Sequence, residues 1–196
     1  MFTGIVEETG KVRSFVNGEL KVTCNKVLED SRVGDSIAVN GVCLTITKIE
    51  SGVLTFHVSD TTGGISRFKP GGVNSGEIVN MERAMQLRDR LGGHIVSGHI
   101  DFSTKIVSIQ QNGPDHRFEF LYGKEYRKLI IPKGSVTVDG ISLTISSVLS
   151  SSFIVTVIPQ TYNETNLKHK RVGTEVHIEV DMFARYINHI IEFNNK

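Results

Sequence analysis

The sequence predicts an all-β protein made of two tandem copies of one barrel-forming domain, followed by a C-terminal helix. Short runs rich in Val, Ile, Thr and Phe alternate with Gly, Asn, Asp and Ser along most of the chain, which is typical of sandwiches and small barrels. The stretch SIAVNGVCLTI (36–46) recurs 99 positions later as SVTVDGISLTI (135–145), with six of eleven residues identical. The last apolar run, DMFARYINHIIEF (181–193), has helical instead of alternating spacing.

The strands of the first copy follow from alternating apolar runs bounded by turn residues. They are expected within GKVRSFV, ELKVTC, DSIAVNG, CLTITKIE and VLTFHVS. An Asn-Gly dipeptide at 40–41 and an Asp-Gly dipeptide at 139–140 predict two-residue hairpin turns, because these residues accept the positive φ angles that such turns require. The stretch 63–76 (GGISRFKPGGVNSG) has no periodicity and predicts a long loop, while 81–91 (MERAMQLRDRL) fits either a helix or a strand end followed by a turn.

The repeat extends beyond the hairpin turn. Three further pairs of segments correspond in the same order: TGIVEETGKV (3–12) with SGHIDFSTKI (97–106), TFHVSDTT (55–62) with IVTVIPQT (154–161), and GEIVNMERAM (76–85) with GTEVHIEVDM (173–182). Four blocks at nearly constant spacing indicate duplication of a domain of roughly 90 residues, far longer than a solenoid repeat. We therefore expect a first barrel over 1–92, a second barrel over 93–183 and a helix over 184–196.

Composition and charge exclude several classes of function. The chain has 196 residues, of which 39% are hydrophobic and 22% charged, as in a folded globular protein. A formal net charge of +1 and the lack of a Lys/Arg run give no basis for nucleic-acid binding. No apolar stretch is long enough to cross a membrane, and the N-terminus lacks the basic and apolar segments of a signal peptide. The two cysteines show no CxxC spacing, so we expect a cytoplasmic protein without a disulfide or a zinc site.

The two copies differ at positions where chemistry could reside. Cys43 in the first copy corresponds to Ser142 in the second, and Ile5 corresponds to His99. A thiol can act as a nucleophile, and an imidazole can move a proton near neutral pH. Each residue also has a purely structural interpretation, because a free cysteine behaves as a small hydrophobe and a histidine at a domain junction can serve packing. From the residues alone, both interpretations stay open.

Three other polar residues have simpler explanations. His94 and His99 are five positions apart with no third ligand nearby, so a metal site is not expected. Lys133 precedes the second hairpin as a strand-end lysine, where it is solvated unless a polar ligand lies there. Asp181 stands where the C-terminal helix begins and is suited to capping that helix.

Six motifs taken together resemble the riboflavin synthase family of the α-chain type. They are MFTGIVEE, NGVCLTI, GGHIVSGHID, PKGSVTVDGISLTI, VIPQTYNETNL and VHIEVDMFARY, and they cover nearly the whole chain in order. The resemblance implies a homotrimer whose subunits each contain two six-stranded Greek-key barrels and a C-terminal helix. Lumazine synthase is a candidate partner. The resemblance implies a dismutation in which a four-carbon unit passes between two molecules of 6,7-dimethyl-8-ribityllumazine, giving riboflavin and 5-amino-6-ribitylaminouracil. It implies no cofactor.

The resemblance also implies where substrate binds, with each reaction site shared between the first barrel of one subunit and the second barrel of its neighbour. Cys43, His99 and Ser142 would carry the chemistry. The first pocket would contain Gly4, Ile5, Val6, Cys43, Leu44, Thr45, His57, Val58, Thr62, Gly98, His99 and Ile100. The second would contain Lys133, Ser142, Leu143, Thr144, Ile158, Pro159, Gln160, Thr161, Tyr162, Asn163 and Asp181. The stretch 59–76 departs from the family pattern, being longer and richer in glycine, and leaves Thr62 as its best candidate contact.

The residue types suit a reaction in which the substrate itself holds the developing charge. Removal of a proton from the lumazine 7-methyl group leaves a carbanion delocalised over the ring, so the protein mainly has to bring two heterocycles together and move protons. Three alternatives use similar barrels: a lumazine- or flavin-binding antenna protein without catalysis, a flavin reductase, and a plain ligand-binding or structural barrel. Cys43 and His99 argue against the antenna, a reductase would need a nicotinamide domain, and the unequal copies disfavour a plain barrel.

Overall fold

A computed structural model describes residues 1–194 and contains two closed antiparallel barrels of six strands each. The strands of the first barrel are β1 (Glu8–Val16), β2 (Glu19–Thr23), β3 (Ser36–Val39), β4 (Val42–Glu50), β5 (Val53–His57) and β6 (Ile78–Arg83). Those of the second are β7 (Phe102–Asn112), β8 (Asp115–Leu121), β9 (Ser135–Val138), β10 (Ile141–Val148), β11 (Ser152–Val157) and β12 (Glu175–Val180). The α-helices are α1 (Asp60–Ile65), α2 (Pro159–Glu164) and α3 (Met182–Asn194), and three short 3-10 helices cover Lys26–Leu28, Lys124–Tyr126 and Asn166–His169. The fold class expected from the sequence is confirmed.

Both barrels have the same strand order, as a duplication requires. Neighbouring strands follow the order β1-β2-β5-β4-β3-β6 in the first barrel and β7-β8-β11-β10-β9-β12 in the second, and the last strand pairs with the first. The register shifts at equivalent places, in β1 between Val12 and Ser14 and in β7 between Ile106 and Ser108. A second equivalent pair of shifts lies in β4 and β10. Such bulges bend and twist a strand, which helps a small sheet to close on itself.

Each barrel closes around its own apolar core. Along β4, Val42, Leu44 and Ile46 are buried while Thr45 between them is exposed, because successive side chains of a strand point to opposite faces. Three fully buried aromatic rings fill much of the second core: Phe118, Phe120 and Phe153. Removal of this apolar surface from water is the main stabilising contribution in each barrel.

The two glycine-containing turns meet where the barrels pack together. Asn40, Gly41, Asp139 and Gly140 all have positive φ, from 45° to 79°, as type I′ hairpin turns require. A Cβ on Gly41 would lie 2.7 Å from the backbone nitrogen of Gly140, and one on Gly140 would lie 2.7 Å from the nitrogen of Gly41. The predicted hairpins are therefore confirmed, and the contact between barrels requires glycine in both turns.

A buried polar cluster joins the two halves next to these turns. Asp139 is fully buried and accepts the His177 backbone N–H at 2.8 Å and the Asn166 side-chain amide at 2.9 Å. The Lys170 Nζ lies 2.8 Å from the same carboxylate. Asn40, the counterpart of Asp139 in the first copy, accepts a second bond from the Asn166 amide at 3.0 Å. A single side chain thus links both turns.

The C-terminal helix is confirmed, over Met182–Asn194. Six of its apolar and aromatic side chains are more than half exposed: Phe183, Tyr186, Ile187, Ile190, Ile191 and Phe193. No helix within residues 1–194 has the length and apolar character needed to cross a membrane.

The stretch before β6 differs in part from expectation, and the stretch that begins within β6 matches one of its two expected alternatives. The stretch 63–76 is not wholly a loop, because α1 extends to Ile65. The Ser59 hydroxyl caps this helix by accepting the Thr62 N–H at 3.3 Å. The helix contains two glycines, which lower helix propensity, so the sequence does not predict it. The stretch 81–91 is a strand end followed by a turn and not a helix.

Candidate functional site

Two short segments cross from one half of the chain to the other and create two equivalent sites. Gly4 precedes β1 in the first half, yet its carbonyl accepts the backbone N–H of Ser142 in the second barrel at 2.7 Å. Gly98 precedes β7 in the second half, and its carbonyl accepts the backbone N–H of Cys43 in the first barrel at 2.8 Å. Each site therefore combines one barrel with a segment from the other half.

The crossings are so close that only glycine fits. Gly4 and Gly98 have φ of 77° and 81°. A Cβ on Gly4 would lie 2.6 Å from the Cβ of Ser142, and a Cβ on Gly98 would lie 2.6 Å from the Cβ of Cys43. Any side chain at either position would displace the strand that carries the candidate reactive group.

This arrangement corrects the grouping expected from the sequence. Gly4, Ile5 and Val6 are expected beside Cys43, but Gly4 contacts Ser142 and Val6 packs against the second core. The stretch 98–100 does lie at Cys43, as expected, with Ile100 in the first core. The reason is that the segment before each first strand leaves its own barrel, which an alignment of the two copies cannot show.

The first site surrounds Cys43, whose side chain is partly exposed. Thr45 lies two residues further on the same outer face of β4, and His57 and His99 are also exposed. Thr62 is partly exposed on α1, with its N–H engaged by the helix cap. Three other expected contacts are core residues: Leu44, Val58 and Ile100. A ligand could meet these three mainly through the backbone.

The second site surrounds Ser142, whose hydroxyl oxygen lies 2.7 Å from Nδ1 of His94 in the segment between the barrels. Thr144 is exposed on the same face of β10 as Ser142, while Leu143 points into the core. Lys133 is exposed just before β9, in a left-handed backbone conformation with φ of 65°.

The remaining expected contacts lie on α2 or next to it. Four of them are exposed: Ile158, Pro159, Gln160 and Asn163. Thr161 is half-buried, and its carbonyl accepts the Thr165 hydroxyl at 2.7 Å. The ring of Tyr162 stacks on His116, with centroids 3.8 Å apart. This contact holds α2 against β8 and occupies one face of the tyrosine ring.

His94 is a functional candidate that the sequence does not predict, because no local pattern places it beside Ser142. Burial lowers the pKa of His94, and the charge of Asp181 partly opposes that shift, so the imidazole is neutral at pH 7. A neutral imidazole can accept the proton of the Ser142 hydroxyl and make its oxygen more nucleophilic. The first histidine of GGHIVSGHID is the only signal in the sequence, since the first copy has no counterpart of residue 94.

Asp181 has a structural role in addition to its effect on His94. Its Oδ1 accepts the backbone N–H of Phe183 at 2.9 Å, which caps the start of α3. Within residues 1–194, no group of three or more His, Cys, Asp or Glu side chains is arranged to hold a metal ion.

The two cysteines are both free and differ in exposure. Burial raises the pKa of the Cys24 thiol to about 12, which makes it a poor nucleophile. Cys43 is partly exposed at the first site.

A cleft of about 710 Å³ lies between the first barrel and the 84–92 segment. Arg83 lines it, held by two hydrogen bonds of 3.1 Å from its Nε to the Glu7 carboxylate. Neither Cys43 nor Ser142 lines this cleft, but Ile5, one of the expected contacts, does, as do Thr3 and Glu82 beside the Gly4 crossing.

Comparison with known proteins identifies the class to which these barrels belong. Residues 3–84 and residues 97–181 each match the family described as "Lumazine binding domain". Two such domains therefore account for most of the chain. Proteins named riboflavin synthase are similar over its full length. That of Bacillus subtilis (strain 168) is 38% identical, covering 100% of this chain and 92% of the relative. That of Actinobacillus pleuropneumoniae is 43% identical, covering 97% and 90%. The chain belongs to the riboflavin synthase family.

Solved structures confirm the fold. A crystal structure of LumP complexed with riboflavin has a TM-score of 0.85 at 22% identity, covering 92% of this chain and 99% of that one. A crystal structure of LumP complexed with 6,7-dimethyl-8-(1'-D-ribityl) lumazine has a TM-score of 0.82 at 21% identity, with the same coverage. At this level of identity the likeness concerns the arrangement of the two barrels.

Proposed function

We propose that this chain is a riboflavin synthase, a transferase that converts two molecules of 6,7-dimethyl-8-ribityllumazine into riboflavin and 5-amino-6-ribitylaminouracil. The observation that carries the proposal is the pair of equivalent sites with unequal side chains. Two copies of one substrate must react in different roles, as donor and acceptor of four carbon atoms, and two related but unequal sites suit such a reaction. Full-length similarity to proteins named riboflavin synthase supports the same conclusion.

The unequal side chains give the two sites different chemical roles. The first site offers the Cys43 thiol and the His99 imidazole, and the second offers the Ser142 hydroxyl bonded to His94. Removal of a proton from the 7-methyl group needs a base that works near neutral pH, which an exposed imidazole can supply. The resulting carbanion is delocalised over the heterocycle. The protein therefore contributes mainly by holding the two rings together in a reactive orientation.

The stoichiometry fits a protein that acts without an added oxidant. Riboflavin and the pyrimidine product together contain the atoms of two lumazine molecules, so electrons move only between the two substrates. A nucleophile such as Cys43 or Ser142 could add reversibly to a lumazine ring and leave again, without appearing in the products.

Assembly as a homotrimer is part of the proposal. The apolar stripe of α3 is exposed in the single chain, and a three-fold helix bundle would bury it. Such a bundle would bring the first site of one subunit against the second site of its neighbour. Residues 1–92 and 93–183 would then be the two lumazine-binding units, and 184–196 the assembly helix. The same proposal places the enzyme in the cytoplasm, with lumazine synthase as a candidate partner.

Incubation of the purified protein with 6,7-dimethyl-8-ribityllumazine alone tests the function. We expect riboflavin and 5-amino-6-ribitylaminouracil to appear in equal amounts, each at half the rate of lumazine loss, as followed by chromatography. A non-catalytic antenna protein would bind lumazine with a change in fluorescence but leave its concentration constant. That result would refute the proposal.

A further inference from the structure

Two buried carboxylates hold the segments that cross between the halves. Glu82 lies on β6 and is 6% exposed; its Oε1 accepts the N–H of Thr3 at 2.7 Å and the Thr3 hydroxyl at 2.8 Å, and its Oε2 accepts the N–H of Gly4 at 3.0 Å. Glu179 lies on β12 and is 1% exposed. It accepts the same three bonds from the segment 97–98, at 2.8, 2.6 and 3.0 Å.

Placing a carboxylate at these buried positions costs desolvation free energy, which its hydrogen bonds must offset. Burial raises the pKa of both Glu82 and Glu179, and the hydrogen bonds from the crossing segments oppose that shift. An ionised carboxylate only accepts hydrogen bonds, so two oxygens can satisfy three donors that point at them. A glutamine in the same place would turn its NH₂ group toward at least one of those donors. Each carboxylate therefore fixes the position of its crossing segment through three hydrogen bonds that glutamine could not all accept.

Each held segment forms part of the site in the opposite barrel. Gly4 donates its backbone N–H to Glu82, and its carbonyl accepts the Ser142 N–H at 2.7 Å. In the same way, Gly98 donates its backbone N–H to Glu179, and its carbonyl accepts the Cys43 N–H at 2.8 Å. Because the spacing at both crossings excludes even a methyl group, a shift of either segment must move its partner strand.

We propose that Glu82 and Glu179 are positioning residues that act crosswise. Glu82 of the first barrel sets the geometry of the Ser142 site in the second barrel, and Glu179 of the second barrel sets the geometry of the Cys43 site in the first. Each half of the duplicated chain therefore determines the site of the other half. The choice of riboflavin as the test ligand rests on the proposed function, but the crosswise geometry itself can be tested without turnover.

Two thiol reporters distinguish the sites. Cys43 reports on the first site in the parent chain, because Cys24 is buried and its thiol, with a pKa of about 12, does not compete for iodoacetamide. A Ser142→Cys substitution in a Cys43→Ser background places a matching thiol in the second site. Glu82→Gln and Glu179→Gln are each introduced into both backgrounds. Alkylation rates are then measured with and without riboflavin.

The expected pattern is crosswise. Glu179→Gln should raise the alkylation rate of Cys43 and weaken its protection by riboflavin on the order of tenfold, the scale of one hydrogen bond to a charged group, while the reporter at 142 changes less than about twofold. Glu82→Gln should do the reverse. Glu119→Gln is the matched control, because that carboxylate also accepts a hydroxyl, that of Ser152 at 2.6 Å, but touches neither crossing segment. It should leave both reporters unchanged.

Three outcomes would overturn the proposal. The first is an equal change in alkylation rate at both reporters, which would show general loosening of the fold. The second is a change confined to the barrel that carries the substitution, and the third is no change at either reporter. If a glutamine variant fails to fold, Thr3→Val and Ser97→Ala remove one hydroxyl donor each and leave the carboxylate in place. These milder variants should give the same crosswise pattern at a few-fold scale, and an equal or absent response would refute the proposal. If riboflavin protects neither reporter thiol while Glu82 and Glu179 are intact, that result would instead count against the proposed function, and the ligand-free alkylation rates would remain as the test of the crosswise geometry.

Discussion

Replacing Asp139 with Asn should destabilise the protein strongly, although the two side chains have nearly the same shape. Burial alone would raise the pKa of Asp139, but the Lys170 ammonium at 2.8 Å and the interactions with His177, including the hydrogen bond from its backbone N–H, together outweigh burial. The pKa of Asp139 is therefore lowered, and the group is charged at neutral pH. The side chain of Asp139 is 0% exposed and that of Lys170 is 5% exposed. Asparagine at 139 would leave the ammonium buried without a counter-charge.

The expected magnitude follows from this burial. Removing one partner of a buried ion pair costs about 3–5 kcal/mol, because the other charge stays uncompensated. We expect Asp139→Asn to lower the free energy of unfolding by about 3 kcal/mol, the lower end of that range, since Asn40 shows that an amide oxygen can still accept the Asn166 bond. Lys170→Met should cost a similar amount, because it leaves the carboxylate alone. The double variant removes both charges and should cost less than the sum of the single variants by about 2 kcal/mol or more.

Urea unfolding followed by far-UV circular dichroism provides the assay, since the chain contains no tryptophan. All variants are compared at one protein concentration, because assembly would otherwise contribute to stability. Glu50→Gln, which breaks an exposed ion pair with Lys48, is the control and should change stability by less than about 1 kcal/mol. Additive effects in the double variant, or a loss below about 1 kcal/mol for Asp139→Asn, would refute the argument.

Three further predictions concern catalysis, acid stability and assembly. Cys43→Ser should lower turnover by about tenfold or more with little change in riboflavin affinity, while Cys24→Ser should turn over near the parent rate; equal rates for all three proteins would reduce Cys43 to a packing role. Burial lowers the pKa of His177, whose Nε2 accepts the Arg67 backbone N–H at 2.8 Å and so has no place for a second proton. The contribution of neutral His177 to the free energy of unfolding is therefore fully present above a pH of about 6.5. It is lost below that pH, by at most about 1.4 kcal/mol per pH unit, because the unfolded chain binds a proton that the folded chain does not. Urea midpoints at pH 7.5 and pH 5 should show this loss, and His177→Asn should show less of it; the same loss in the variant would assign the effect elsewhere. Deletion of 184–196 should give a monomer by light scattering that binds riboflavin but has lost almost all turnover, and a fully active monomer or a persisting trimer would contradict the shared site.

Features that depend on neighbouring residues were predictable from the sequence. Strands followed from alternation, and the hairpins at 40–41 and 139–140 followed from dipeptides that tolerate positive φ. The helix of residues 182–194 followed from apolar spacing alone. The helix at 60–65 was missed because its two glycines lower helix propensity, although its serine cap was visible in the sequence.

The sequence by itself determined that this chain is a duplicated β protein, because repetition, alternation and turn chemistry are local properties that survive without knowledge of the fold. It also showed that Cys43 and Ser142 occupy equivalent positions with different chemistry. Only the tertiary structure decided which segment completes each site. Gly4 reaches Ser142 across more than half the chain, and His94 reaches the same hydroxyl at 2.7 Å, because two barrels packed through their turns exchange the segments that precede their first strands. The path of those segments depends on contacts between halves, which no run of neighbouring residues encodes.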